Sequence, residues 1–223
     1  MIIVFDMDDT LYPEISYVES GFRAVAKMLE NIENFQCENI AKDLMDILHT
    51  QGRGEVFDTY LKGFGKYNKI LVKKCITAYR NHDPKIQLFS DAEEYILNNQ
   101  DKNLYIVTDG NKVVQTKKVQ ALNLQHNFKK IYITHRYGLI HSKPSLYCFQ
   151  KIKDNENCSW SNILYVGDNP NKDFINLNKM KANTVRIMRG CYENVSVKKD
   201  YDAQYRINTL NELSEIVRII EDV

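Results

Sequence analysis

Along the chain, apolar residues gather in short runs that stop abruptly at polar ones. Residues 1–5, with Ile2, Ile3 and Val4, meet Asp6 at once. Residues 104–107 end at Thr108, residues 131–133 at Thr134 and His135, and residues 163–166 at Gly167 and Asp168. A brief continuous apolar run with polar ends reads as a strand buried on both faces, as in a parallel sheet. Residues 184–188 predict a fifth strand. Helical spacing fills the intervals: residues 111–124, with Val113, Val114, Val119 and Leu122 as the apolar face, then 145–152 and 172–180. Residues 210–220 predict a terminal amphipathic helix. Strands alternating with helices imply an α/β fold, a parallel sheet covered by helices on both faces.

Residues 15–82 break the alternation. They contain no strand run and read as consecutive helices over 18–32, 38–48, 56–64 and 70–79, with a break at Gly52-Arg53-Gly54 and a far edge at Pro84. Between Thr10 and Thr108 lie 97 residues, whereas a whole crossover needs as few as ~12. The excess is a helical insertion directly after the first strand. The expected division is therefore an α/β domain of residues 1–14 and 86–223 and a helical domain of residues 15–85. Phe22, Phe57, Tyr60 and Phe64 are expected in the core of the insertion, and Lys112, Lys117 and Lys118 on a solvated helix face.

Composition narrows the function classes. The chain has 223 residues, 43% hydrophobic and 26% charged, which is ordinary for a globular protein. Its formal net charge is +1, so the basic excess that marks a general nucleic-acid binder is missing. No apolar run approaches the ~18 residues of a membrane span, and no leader places positive charge before an apolar stretch. A cytoplasmic protein without a membrane or nucleic-acid partner is expected. The five cysteines are odd in number and none form C-x-x-C. They are expected as buried or half-buried free thiols rather than disulfides or zinc ligands.

In parallel α/β sheets the ligand crevice lies outside the carboxyl ends of the strands. The first strand delivers Asp6-Met7-Asp8-Asp9-Thr10 there, the second Thr108-Asp109-Gly110, the loop after the third His141-Ser142-Lys143-Pro144, and the fourth Gly167-Asp168 through Asp173. Asp6 and Asp168 side by side would raise one another's pKa unless a cation intervened. Mg²⁺ suits few carboxylates, several waters and a phosphate oxygen. Lys143 can neutralise a carboxylate nucleophile and a phosphoryl group together, and the Thr108 hydroxyl can donate to a phosphoryl oxygen. These are the parts of phosphoryl transfer to an aspartate.

Asp6-Met7-Asp8-Asp9-Thr10-Leu11 resembles motif I of the haloacid dehalogenase superfamily. Thr108 resembles its motif II, Lys143-Pro144 its motif III, and Gly167-Asp168 to Asp173 its motif IV. The likeness spans about residues 1–14 and 86–205, and the insertion resembles the helical C1 cap of subfamily I. The loop from Gly138 to Lys143 is two residues longer than the family's common Gly-x-x-Lys-Pro. The resemblance implies a Rossmann-like three-layer core with an inserted cap. It implies Asp6 as nucleophile and Mg²⁺ ligand, and Asp8 as general acid and base that binds the metal through its backbone carbonyl. Thr108 and Lys143 would hold the phosphoryl group, Asp168 the metal, and Asp173 would support the metal or Lys143 from behind. Asp9 and Asp109 read as structural neighbours.

Asp8 separates chemistries within the superfamily. Expelling halide needs no proton, but expelling an alkoxide does, so a second carboxylate points to phosphate esters. The expected substrate is a small phosphorylated metabolite: a sugar phosphate, a nucleotide or a phosphorylated acid. Tyr12, Arg53, Tyr60 and His82, with Asp109 and Gly110, are candidates to face it. A monomer or small homo-oligomer is expected. A phosphomutase would share every motif, and a non-catalytic phosphoacceptor or binding module is a more distant alternative. No G-x-x-x-x-G-K phosphate loop occurs.

Overall fold

In chain order the elements are β1 (Ile2–Phe5), α1 (Glu14–Glu30), α2 (Ile40–Gln51), α3 (Val56–Gly63), α4 (Lys69–Asn81), α5 (Ser90–Asn98), β2 (Leu104–Thr108), α6 (Lys112–Ala121), β3 (Lys130–Ile133), α7 (Tyr147–Asn155), β4 (Ile163–Gly167), α8 (Ile175–Lys179), β5 (Asn183–Ile187), β6 (Tyr205–Ile207) and α9 (Leu213–Glu221). They come from a computed structural model that describes residues 1–32 and 39–222. Glu38, the expected start of α2, and the thiol of Cys37 lie outside the described residues. The chain forms two units, Met1–Glu14 with Gln87–Val223, and Ile15–Ile86.

In the first unit six parallel strands form one sheet in the order β3-β2-β1-β4-β5-β6. β1, β2 and β4 are buried at every residue, which is why they read as unbroken apolar runs. Ile2, Val4, Tyr105, Val107 and Tyr165 pack on one face with Phe149 and Ile152 of α7 and with Phe174 and Leu177. Phe5 meets Tyr95 of α5 and Phe128 edge-on, with ring centres 5.8 and 6.2 Å away. The sheet is a Rossmann-like α/β core. Its register sets Phe5 beside Ile106 and Val166, so the chain leaves all three central strands at one edge.

The second unit is all helical. Phe22, Val25, Leu29, Leu44, Tyr60, Leu61, Val72 and Cys75 make its core. Phe57 packs edge-on to Phe22 at 5.9 Å. Phe64, expected in that core, is instead half exposed at the end of α3.

Three further expectations are corrected. α5 and β6 were not legible as elements. β6 has three residues, and its Tyr205 and Arg206 are not buried, so it carries no apolar run. The buried face of α6 holds Val119 and Leu122 as expected but also Gln115 and Lys118, the latter expected in solvent, while Val113 points outward. Cys191 is exposed, unlike buried Cys75 and Cys148 and half-buried Cys158. No helix among the described residues is long and apolar enough to cross a membrane.

Leu164 is fully buried on β4 beside Ile3 of β1. Replacing it with Ala removes buried methyl groups and leaves a cavity, so Leu164→Ala should cost about 2–5 kcal/mol of stability. Urea unfolding midpoints check this, and an unchanged midpoint contradicts the packing described.

Candidate active site

At the end of β1 the ladder runs one residue further, because the Asp6 amide donates to the Val166 carbonyl at 2.8 Å. That bond delivers the Asp6 carboxyl to the same edge as Asp168. Asp6, Asp168 and Asp173 are all buried, and each offers a carboxylate oxygen within 4.8 Å of the others. Lys143 sits among them, almost wholly buried. Its ammonium lies 2.9 Å from Asp6 Oδ2 and 2.9 Å from Asp173 Oδ1, and it donates to the Tyr165 hydroxyl at 2.9 Å. An ammonium has three donors, and these three partners match them. The Tyr165 hydroxyl in turn donates to Asp173 Oδ1 at 3.2 Å. Asp173 Oδ2 accepts the Asn169 amide at 3.0 Å, which fixes the loop after β4. Gly167 makes this possible: a Cβ there would stand 2.6 Å from Asp173 Oδ2.

Burial and like charge dominate the acids. Burial pushes the Asp6 carboxyl up against the pull of Lys143, to about 6. Burial, together with the charges of Asp6 and Asp173, pushes Asp168 to about 9. Burial works against the Lys143 ammonium, but Asp173 and Asp6 outweigh it and hold the proton on well above the usual lysine range. Three buried carboxylates balanced by one lysine form an oxygen-rich site short of positive charge. The donor set fits a hard divalent cation.

Asp8 does not join this cluster. Its carboxylate turns to α6, where Lys118 lies 2.6 Å from Oδ1 and Gln115 Nε2 donates to Oδ2 at 2.9 Å. The Tyr12 hydroxyl also donates to Oδ1. Burial alone would raise the Asp8 carboxyl, but Lys118 and these hydrogen bonds hold it below the usual range. Gln115 Nε2 reaches the Thr108 hydroxyl oxygen at 2.7 Å as well. Gln115 and Lys118 were missed in the sequence because polar residues on an amphipathic helix are read as facing water. The available signal was their i, i+3 spacing on the helix that directly follows Thr108-Asp109-Gly110.

The remaining candidates divide. Asp109 Oδ1 accepts the Thr134 hydroxyl at 2.7 Å and the Lys143 amide at 3.1 Å, and Oδ2 pairs with Lys172 at 3.2 Å. It thus holds the Lys143 segment. Gly110 has φ +135° and lies against Gln115, where a Cβ would stand 3.1 Å from the carboxamide carbon. Asp9 accepts the Glu14 amide at 2.8 Å, at the start of α1. Tyr12, offered as a substrate contact, is fully buried with its hydroxyl on Asp8. Arg53 belongs to the helical unit and lines a cavity of about 340 Å³ there with Phe22, Phe57 and Tyr79. Tyr60 is a core residue of that unit, and the His82 ring pairs with the Tyr79 carbonyl at 2.6 Å. In the long loop before Lys143, His141 stacks on Tyr147 with ring centres 3.9 Å apart.

Residues 3–187 match the family described as haloacid dehalogenase-like hydrolase. A glyceraldehyde 3-phosphate phosphatase from Methanocaldococcus jannaschii is 30% identical over 97% of this chain and 96% of its own length. One from Methanopyrus kandleri is 29% identical over the same shares. Among solved structures, the HAD-hydrolase YfnB from Bacillus subtilis, in a form bound to magnesium, shares the fold with a TM-score of 0.72 and 21% identity, covering 97% of each chain.

The raised carboxyls make stability fall with pH. Between the unfolded value of 3.8 and about 9, the folded chain holds a proton on Asp168 that the unfolded chain has lost. The unfolded state then binds fewer protons, so folding stability decreases as pH rises. Metal-free protein should lose on the order of 1.4 kcal/mol per pH unit from Asp168 alone, and Asp168→Asn should flatten that slope. Urea titrations from pH 5 to 8 check it. Parallel curves for the two proteins would refute it.

Proposed function

Because the chain belongs to the haloacid dehalogenase-like hydrolase family, we propose that it is a Mg²⁺-dependent phosphatase acting through an aspartyl phosphate. The observation that carries this is the buried Asp6 carboxylate, paired with Lys143 and crowded by Asp168 and Asp173. A carboxylate so placed is aimed, flanked by a fixed cation and shielded from water, as a covalent nucleophile must be. In this reading the Asp6 and Asp168 carboxylates and the Asp8 backbone carbonyl hold Mg²⁺. When bound, the ion supplies the positive charge that lets the carboxylates and the phosphoryl oxygens approach one another.

The chain's own groups do the rest. Asp6 attacks phosphorus while Thr108 and Lys143 bind the phosphoryl oxygens. Asp173 and Tyr165 brace the Lys143 ammonium, and Asp109 holds its backbone. Asp8 gives a proton to the leaving alkoxide and takes one from the water that opens the aspartyl phosphate. Its ionised resting form suits the second step. The dianionic phosphoryl group of the substrate adds negative charge nearby and draws a proton onto Asp8 for the first. Ile15–Ile86 is the cap in this reading, with Arg53 as its substrate contact. The relatives named for glyceraldehyde 3-phosphate favour that triose phosphate as the first substrate to try.

Hydrolysis of glyceraldehyde 3-phosphate, followed by phosphate release, tests the reading. Activity should vanish with chelator and return with Mg²⁺; full turnover in excess chelator would overturn it. Asp6→Asn should abolish turnover, and Asp168→Ala should weaken the Mg²⁺ dependence far more than Asp109→Ala. Normal activity in Asp6→Asn, or equal metal titrations for the last two, would remove the assignments. Arg53→Ala should raise KM for the triose phosphate more than for p-nitrophenyl phosphate, since a remote contact is felt only by a substrate that reaches it. Equal responses would take Arg53 out of the site.

A further inference from the structure

The inner face of α6 carries two polar side chains one turn apart, Gln115 at 1% and Lys118 at 3% exposure. Buried polar groups need partners, and the partners here are the reacting residues themselves. Lys118 lies 2.6 Å from Asp8 Oδ1, and its ammonium stands 5.7 Å from the Tyr12 ring centre. Gln115 spans two groups through one nitrogen, Asp8 Oδ2 at 2.9 Å and the Thr108 hydroxyl oxygen at 2.7 Å.

The direction of these bonds has a chemical consequence. An ionised carboxylate only accepts, so Gln115 must turn its NH₂ rather than its carbonyl toward Asp8. The same NH₂ then donates to Thr108. The Thr108 oxygen is therefore an acceptor in this bond, and its own hydrogen is directed to another acceptor. A phosphoryl oxygen is such an acceptor. Gly110 keeps the contact close, because a side chain there would press on the Gln115 carboxamide.

We propose that Gln115 and Lys118 are positioning residues of the phosphoryl transfer. Gln115 orients the Thr108 hydroxyl as a donor to the phosphoryl group, and Lys118 holds the Asp8 carboxyl where it exchanges protons with the leaving group and water. The proposal rests on the phosphatase reading above. It separates the two roles: Gln115 acts on phosphoryl binding, which every ester needs, and Lys118 on proton transfer, which the leaving-group step needs only where the leaving group is poor and the water step needs for every ester.

The test uses the full chain with Mg²⁺ and two esters, glyceraldehyde 3-phosphate with an alkoxide leaving group and p-nitrophenyl phosphate with a good one. Circular dichroism confirms folding of each variant. In single-turnover release of the leaving group, Lys118→Met should slow the triose phosphate by about 10²-fold, within the range of lost acid–base catalysis, and the aryl ester by less than about tenfold; breakdown of the aspartyl phosphate should slow alike for both. In an Asp8→Asn background Lys118→Met should add almost no further loss, because its effect runs through Asp8. Gln115→Leu should lower kcat on both esters alike, by roughly tenfold or more, and should add almost nothing to Thr108→Val. Should Lys118→Met fail to fold, Lys118→Gln serves in its place and the Gln115 comparison stands unaltered. A Lys118 loss in leaving-group release that is equal on both esters, or one that multiplies with that of Asp8→Asn, overturns the role of Lys118. A Gln115 loss that persists in full on Thr108→Val overturns the role of Gln115. A wild-type protein that hydrolyses neither ester overturns the phosphatase reading, and the positioning roles fall with it; an active wild type with variants that break the pattern overturns the positioning alone.

Discussion

One buried lysine organises the carboxyl edge of the sheet. Lys143 satisfies its three donors on Asp6 at the end of β1, Tyr165 within β4 and Asp173 in the loop after β4. The requirement reaches outward from there. Tyr165 must sit on the central strand with its hydroxyl toward that edge, and Gly167 must lack a side chain so that Asp173 can close in. Asp109 must hold the Lys143 amide. Such a cluster is poor evidence for stability, because removing charges from water costs several kcal/mol per ion and well-packed apolar residues often do as well. With Asp168 driven to about 9, the site is a destabilising concentration of like charge in the metal-free fold. Such a cluster suits the catalytic role proposed for it better than a role in folding.

What could be read from the sequence follows the same physics. Strands buried on both faces must be apolar throughout, and the polar residue that ends each one is conspicuous. Asp6, Thr108 and Asp168 were therefore legible together with β1, β2 and β4. The helical insertion was legible from excess length alone. The inner face of α6 was not, because periodicity assigns polar residues to water. Lys118 is buried against Asp8, which receives its charge, a condition set by tertiary structure and invisible to local pattern. Tyr12 failed as a substrate candidate for the same reason: its hydroxyl is committed to Asp8. β6 was hidden by being short and only partly covered, and α5 by lying beyond the apparent boundary at Pro84.

Asp6 and Asp8 stand two residues apart and are driven in opposite directions. Asp6 is raised to about 6 by burial and by its acidic neighbours, despite Lys143. Asp8 is lowered by Lys118, Tyr12 and Gln115, despite burial. Divergent environments for neighbouring carboxyls are how one site assigns different roles to the same chemical group. Each role also needs a different kind of support. A nucleophile must be ionised when substrate arrives, and near neutral pH the metal-free cluster works against that at Asp6. In the proposed reading, a cation held by Asp6 and Asp168 would reverse the effect and supply the charge that keeps Asp6 ionised. Asp8 needs no such help, because a protein cation already stands against it at 2.6 Å. The two aspartates are thus set by different neighbours, Asp6 by burial, Lys143 and its fellow acids, and Asp8 by Lys118 on α6 with Tyr12 and Gln115.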